Sequence, residues 1–233
     1  QDQALRALFE TAAERFQAGG DLWLICAVSA EGSMALYDRS HGFTGAEMPE
    51  ALTAHLKRKP LLVELDGASY YIEQVSSAGR VYVFGCGHVA QELVPVLSHV
   101  GFRCVAMDDR EEFAQKSLFP DAEEVLLVNF NHIDEAITVT AEDYACVMTR
   151  GHAFDAVIQA QLLRTPANYI GVIGSARKKA GVYQKLREEY GYGDNDFARI
   201  TSPIGLDIQA ETPAEIAISI AAQLIQVRAK QMK

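Results

Sequence analysis

Cysteine is scarce and badly placed for chemistry: Cys26, Cys86, Cys104 and Cys146 are the four in 233 residues, and no two form a C-x-x-C pair. That spacing excludes a disulfide framework and a thiolate zinc site, and their mostly apolar surroundings read as reduced, buried cytosolic thiols. No uninterrupted apolar run reaches the about 18 residues of a membrane-spanning helix. The opening residues Gln1 to Arg6 lack the basic start and apolar core of a secretory signal, so the expectation is a cytoplasmic protein with no membrane partner. Positive charge is short as well, with 21 Lys and Arg against 31 Asp and Glu for a net charge of −10. A nucleic-acid or anionic-membrane surface needs concentrated Lys and Arg, so neither class of partner is expected. Internal repeats and low-complexity tracts are absent. What is present, 49% hydrophobic and 22% charged residues, excludes intrinsic disorder and describes a soluble globular chain of one large or two modest domains.

The N-terminal part mixes both kinds of secondary structure. Leu5, Leu8, Phe9, Ala12, Ala13 and Phe16 recur at helical spacing over residues 3–18, and Gly19-Gly20 ends that helix. Strands are expected over 22–30 and 34–37, followed by a polar, Gly-containing stretch from Asp38 to Gly45. A short helix is expected over 50–57, and strands over 60–65 and 69–75 around the turn Asp66-Gly67. The small-residue run Ser76 to Gly79 marks a boundary between a small α+β domain, 1–79, and a second domain, 80–233. From Arg80 onward, β-rich runs at 81–84, 103–107, 124–128, 145–148 and 169–173 alternate with helical periods at 89–100, 111–118, 152–164, 176–189 and 213–231. This is the pattern of an α/β domain with a Rossmann-like parallel sheet. The Gly-, Asp- and Asn-rich segment 190–201 reads as a loop.

The sharpest motif is Val81-Tyr82-Val83-Phe84-Gly85-Cys86-Gly87-His88-Val89-Ala90, a strand running through G-x-G-x-x-A into a helix. Gly85 permits the tight turn, Gly87 lets backbone approach a pyrophosphate, and Ala90 keeps the helix close to the strand. Asp108 follows Gly85 by 23 residues, at the end of the next strand, where a ribose-binding carboxylate belongs. Arg110 beside it suits a 2′-phosphate. Cys86 at a helix start is either an activated thiol or a small residue tolerated in the turn, and the second reading is preferred because no other Cys is near. Met148 to Asp155 follows the fourth strand of this domain and brings Arg150, Gly151, His152 and Asp155 to the ligand-binding edge. His152 and Asp155 suit proton transfer, while Asp155 and Thr149 suit helix capping. No cluster completes a metal site. In Gly171 to Lys179, Gly174 and Ser175 precede three cations at a helix start, Arg177, Lys178 and Lys179, and an anion there would offset their conflict with the helix dipole. Thr212 and Glu215 form a capping box with Pro213 at the first helical position.

The segments FGCGHVAQEL, AMDDREEFA, VMTRGHAFD, YIGVIGSARKK and SPIGLDIQAETPAEIAISI, in this order, resemble the C-terminal Rossmann domain of the XdhC/CoxI family of xanthine dehydrogenase accessory factors. The resemblance covers residues 80 to about 228 and rests most on the last two segments. It implies a maturation factor that binds the molybdenum cofactor (molybdopterin), protects it during sulfuration, and delivers it to a molybdenum hydroxylase apoenzyme. That is a cofactor-binding chaperone rather than a turnover enzyme. A sulfur-donating desulfurase is a further implied partner. Gly85, Cys86, Gly87, His88, Asp108, Asp109, Arg110, Arg150, Gly151, His152, Gly174, Ser175, Arg177, Lys178, Gly205, Asp207 and Glu211 fall in the matching segments as candidate cofactor-binding residues. The departure lies upstream. Family members carry a Gly-Gly-Cys segment followed by Glu in a larger N-terminal domain, and residues 1–79 contain no such run, with Cys26 as their one thiol.

Two other functions fit the residues. An NAD(P)-dependent oxidoreductase would place Asp108 on the ribose and His152 as proton donor. A nucleotide-sensing module would dimerise through exposed strand edges, and a homodimer is the default assembly.

Overall fold

The computed structural model describes residues 2–18, 20–28, 32–76, 79–150, 154–174 and 176–231. The chain divides into two compact units, the second running from Gly79 to Gln231. The two are built on different sheets.

In the N-terminal unit, helix α1 (Asp2–Ala18) is followed by strands β1 (Leu22–Ala27), β2 (Met34–Asp38), β3 (Gly42–Gly45), β4 (Leu61–Leu65) and β5 (Ala68–Ser76). They form an antiparallel sheet in the order β3-β2-β1-β5-β4. Trp23, Ile25, Leu52, Val63 and Ile72 form its core, while Leu8 of α1 joins Leu22 and Leu36 in a smaller cluster. Arg15 of α1 lies 2.7 Å from the Asp38 carboxylate, which also accepts the Ser40 and His41 backbone N–H groups at 2.8 Å. That carboxylate shapes the turn into β3. The Asp38–Gly45 stretch is therefore not merely a polar connection. Its Gly42 and Gly45 take positive φ, and Phe43 between them packs edge-on against Tyr37 across the strand pair, with ring centroids 4.9 Å apart. Residues 50–55 are a 3-10 helix rather than a full α-helix.

The second unit contains β6 (Arg80–Phe84), α2 (His88–His99), β7 (Arg103–Asp108), β8 (Glu124–Leu127), β9 (Tyr144–Val147), α3 (Asp155–Leu163), β10 (Tyr169–Val172), α4 (Ala176–Tyr190), α5 (Asp194–Phe197), β11 (Ile200–Thr201) and α6 (Pro213–Gln231). The strands form a parallel sheet in the order β11-β10-β9-β6-β7-β8. The first strand sits in the middle and the direction of winding reverses beside it, which is the doubly wound dinucleotide-fold order. Alternation along each central strand serves two faces. Val81, Val83, Cys104, Ala106 and Cys146 pack with α2 and α6, and Tyr82, Phe84, Val105, Met107 and Val147 pack with α3 and α4. Both faces being covered is what makes these strands read as continuous apolar runs.

Two expectations are corrected here. Residues 111–118 form no α-helix. Phe113 and Ala114 each close a turn onto the Arg110 carbonyl, and only Lys116–Leu118 makes a 3-10 turn. Phe119 must reach the core, where it is buried, and Pro120 follows it, so a continued helix would carry the anchor away. The segment 190–201 is not only a loop. It holds α5, whose Phe197 stacks on Tyr183 at 4.2 Å, and β11, which pairs with β10 at the sheet edge. The capping box at α6 forms as read, with Thr212 N–H donating to Glu215 Oε2 at 2.9 Å and Glu215 N–H to Thr212 Oγ1 at 3.3 Å.

Among the described residues no helix is long and apolar enough to cross a membrane. Leu93, 0% exposed in the cluster α2 shares with α6, is the point at which that packing is most cleanly tested. Leu93→Ala is expected to cost about 2–5 kcal/mol, read as a lower urea midpoint with an unchanged slope.

Candidate functional site

Winding reverses between β6 and β9, and the loops leaving those strands diverge there to leave a crevice at the carboxyl edge. Gly85 and Thr149-Arg150 line it, together with Asp108, Asp109, Arg110, Phe130 and Phe154, around ≈ 120 Å³ of cavity volume. The two loops run very close. A Cβ on Gly85 would lie 2.6 Å from the Met148 carbonyl oxygen, and φ there is +105°. Only glycine fits that position.

Gly87 is different. It is the N-cap of α2 with φ −75° and no side-chain cap, and a Cβ there would meet nothing within 4 Å. Its lack of a side chain is not demanded by the protein's own packing. The first N–H groups of a helix have no intrahelical partner, and α2 has no acidic residue in its first turn, so the space over Gly87 is open for an anion.

Asp108 occupies the ribose position of the fold but is fully engaged inside the protein. Its side chain is 1% exposed. It accepts the Cys86 N–H at 2.8 Å, the Arg110 N–H at 3.1 Å, and the Arg110 guanidinium through Nε at 2.8 Å and Nη2 at 3.1 Å. Burial by itself would raise its pKa, but hydrogen bonds from Arg110 and the Cys86 N–H and the guanidinium charge prevail, and the carboxyl titrates below its ordinary 3.8. Arg110 is held from its other face by Phe113, 3.8 Å from the ring centroid. Asp109, at the rim, is pushed the opposite way by burial and by the neighbouring Asp108 charge.

Cys86 is 0% exposed, and burial followed by the Asp108 charge pushes its thiol up to about 12. Burial in the α2/α6 core works against an activated thiol and outweighs the lowering effect of Arg110. The preferred reading, a small residue accommodated in the turn, stands. Cys104 and Cys146 are likewise buried thiols raised by burial. Asp155, 1% exposed in the first turn of α3, accepts a hydrogen bond from the Thr149 hydroxyl. The pair ties the β9 loop to the start of α3, and the N-cap position itself is Phe154.

The remaining sequence candidates divide by position. Arg150, exposed, joins Gly85, Asp108, Asp109 and Arg110 on the crevice, whereas His88 is exposed outside its lining. Gly151, His152 and Ser175 lie outside the described residues, as does the side chain of Arg177. Gly174 and Lys178 line a second, smaller cavity beside β10. Gly205, Asp207 and Glu211 line neither. Gly205 is a packing residue: φ is +98°, a Cβ would strike Ser219 Oγ at 2.3 Å, and Gln223 Oε1 accepts its N–H at 2.8 Å. The Ser202–Leu206 turn is thus stapled to α6, with Ser219 Oγ also donating to the Leu206 carbonyl at 2.6 Å. Sequence reasoning missed Phe130 and Phe154, which meet edge-on at 5.5 Å. Phe154 belongs to a segment that carries the polar candidates, but Phe130 follows β8 with no motif to mark it. Among the described residues no group of three or more His, Cys, Asp or Glu side chains gathers to hold a metal.

The profile of the XdhC Rossmann domain matches residues 81–224. The chain belongs to the XdhC family. It is similar to the YqeB protein of Escherichia coli K12, 29% identical over 161 residues, covering 69% of this chain and 29% of that one. It is also similar to a Bacillus subtilis protein described as a probable xanthine dehydrogenase subunit, 26% identical over 205 residues, covering 86% and 59% respectively. The chain therefore spans less than two thirds of either curated relative. A Bacillus halodurans crystal structure, described as a xanthine dehydrogenase, superposes with a TM-score of 0.74 at 26% identity over 98% of this chain and 67% of that one. In this XdhC-family chain the crevice presents two arginines, two aspartates and an aromatic pair.

The Asp108 hydrogen-bond set generates a pH prediction. A carboxyl whose folded pKa is depressed contributes stability above its ordinary value of 3.8, and that contribution is lost as pH falls through the lower folded value. Asp108→Asn removes the titration, so its thermal midpoint is expected to be lower than wild type at neutral pH, with the gap narrowing as acid protonates the wild-type carboxylate. Parallel melting curves against pH would expose a role for some other acid.

Proposed function

We propose that this protein is an accessory factor of a xanthine dehydrogenase-type molybdenum hydroxylase, binding the molybdenum cofactor through its phosphate-bearing end. The observation that carries the reading is the internal commitment of Asp108. The carboxylate that would hold an adenosine ribose is occupied by Cys86 N–H and Arg110, while space over Gly87 remains open. A phosphate fits that donor set. The α2 N-terminus would receive it, Arg110 and Arg150 would face its charge, and Phe130 and Phe154 offer an apolar wall to a ring system. The ≈ 120 Å³ of the crevice falls below the roughly 300–1,000 Å³ of small-molecule sites, so these residues account for one end of the cofactor.

When bound, the cofactor supplies the molybdenum chemistry of the client enzyme, and this chain's residues hold and shield it. The chain's own thiols are poorly suited to carry sulfur. Cys86, Cys104 and Cys146 are buried, and Cys26 on β1 is raised by burial and then by the Glu73 charge. A desulfurase partner would supply the sulfur atom of a sulfuration step. Names of the similar Bacillus proteins support a xanthine dehydrogenase-type client, and a cytoplasmic homodimer completes the reading.

Anaerobic calorimetry with molybdopterin cofactor and, separately, with NAD(H) and NADP(H) tests it. Cofactor binding without nicotinamide binding is expected, and the reverse would make the protein dehydrogenase-like. Gly87→Asp is expected to abolish cofactor binding while the melting temperature holds, because the new carboxylate occupies open space where the phosphate sits. Undiminished affinity in the folded variant would remove the glycine turn from the site.

A further inference from the structure

Thr149 lines the crevice and Asp155 lines a second cavity, and the hydrogen bond between them separates the two. The second cavity is a slot of ≈ 10 Å³ at the end of β10, walled by Gln159 of α3, by Gly174, and by Lys178, Lys179 and Tyr183 of α4. Its polar groups are short of partners. Gln159 is 1% exposed, yet its Nε2 has no hydrogen-bond partner among the described residues, and the Tyr183 hydroxyl is buried in the same condition. A buried donor without an acceptor is costly, and two beside one slot suit an accepting oxygen there.

Two lysines stand at the slot. Lys179 Nζ donates to the Ser202 carbonyl at 3.1 Å and lies 5.1 Å from the Tyr183 ring centroid, which holds its charge beside the slot. Lys178 is exposed at the mouth. Asp155 is the one carboxylate on the slot, and its Oδ1 already accepts the Thr149 hydroxyl. Against it stand two ammonium groups, an amide and a phenol. An interior of ≈ 10 Å³ is about the size of one water-sized oxygen, so a ligand inserts a single oxygen and keeps its body outside.

The geometry points to an oxyanion subsite for a terminal phosphoryl group, one oxygen accepting from Gln159 Nε2 and the Tyr183 hydroxyl, with Lys178 and Lys179 offsetting the charge. The subsite is separate from Gly87 and stands whether or not the cofactor reading holds. The phosphoryl group is either free phosphate or the end of an organic ester, and both present the same oxygens.

The test titrates the full chain with inorganic phosphate and, in a second arm, with guanosine monophosphate, followed by phosphorus NMR and calorimetry. Measured in a Gly87→Asp background, where the crevice site is closed, Gln159→Leu and Lys178→Ala are each expected to weaken the remaining phosphate binding by about tenfold. Gln159→Leu should melt at the same temperature or higher, since an apolar side chain relieves an unpaired donor. Tighter binding of the ester than of free phosphate assigns the mouth to an organic group, and equal binding assigns the site to inorganic phosphate. The proposal fails if the Gly87→Asp parent binds neither probe, or if both variants bind as that parent does. A lower melting temperature for Gln159→Leu with unchanged affinity would likewise overturn it, making the amide a structural group served by water. If Gln159→Leu does not fold, Lys178→Ala alone decides.

Discussion

The carboxyl edge of the six-stranded sheet depends on one close approach, that of the turn after β6 to the loop after β9. At Gly85 the two backbones leave no room for a side chain, and Met148 N–H bonds the Phe84 carbonyl at 2.9 Å just before they part. From that pinch the α2 N-terminus turns one way and the Thr149–Asp155 pair the other. The crevice, its arginines and the slot beside β10 all inherit their positions from it. A residue with a Cβ at position 85 would push the central strands apart and with them every group on the edge.

Charge at this edge is arranged in two different ways. At the crevice, Arg110 and Asp108 satisfy each other, and the carboxylate's remaining capacity goes to the Cys86 N–H. Such a buried pair does more to define the turn than to stabilise the fold, since desolvation offsets much of its attraction. Beside β10 the balance is left open, with cations and neutral donors gathered around a single carboxylate. The same sheet edge thus holds one carboxylate closed internally at the ribose position and, beside β10, an amide and a phenol that are buried without a partner among the described residues.

The alternating βα pattern, the doubly apolar strands and the α6 capping box were legible because each is a local consequence of residue order. The glycine turn was legible as a turn, with Gly85 taking the positive φ it needs and Gly87 left open, but the contact of Gly85 with the β9 loop was not. Gly85 serves packing against β9, and only Gly87 leaves space for a ligand. The α-helix expected over 111–118 failed because the burial of Phe119 overrode a weak helical period. Residues 194–201 formed structure that their Gly- and Asp-rich composition obscured, because Phe197 found a stacking partner on α4.

The order of residues determined the fold class, the glycine turn and the family, since strand periodicity and the motif segments are written in the chain itself. Tertiary structure alone decided which side chains are already satisfied. Asp108 looks free until Cys86 and Arg110 are brought to it, and Gly205 looks like a site residue until α6 closes over it. Gln159 carries no sequence signal at all. It becomes conspicuous only when α3 and α4 pack together and bury its amide without a partner, because hydrogen-bond satisfaction is a property of the assembled neighbourhood and not of the residue.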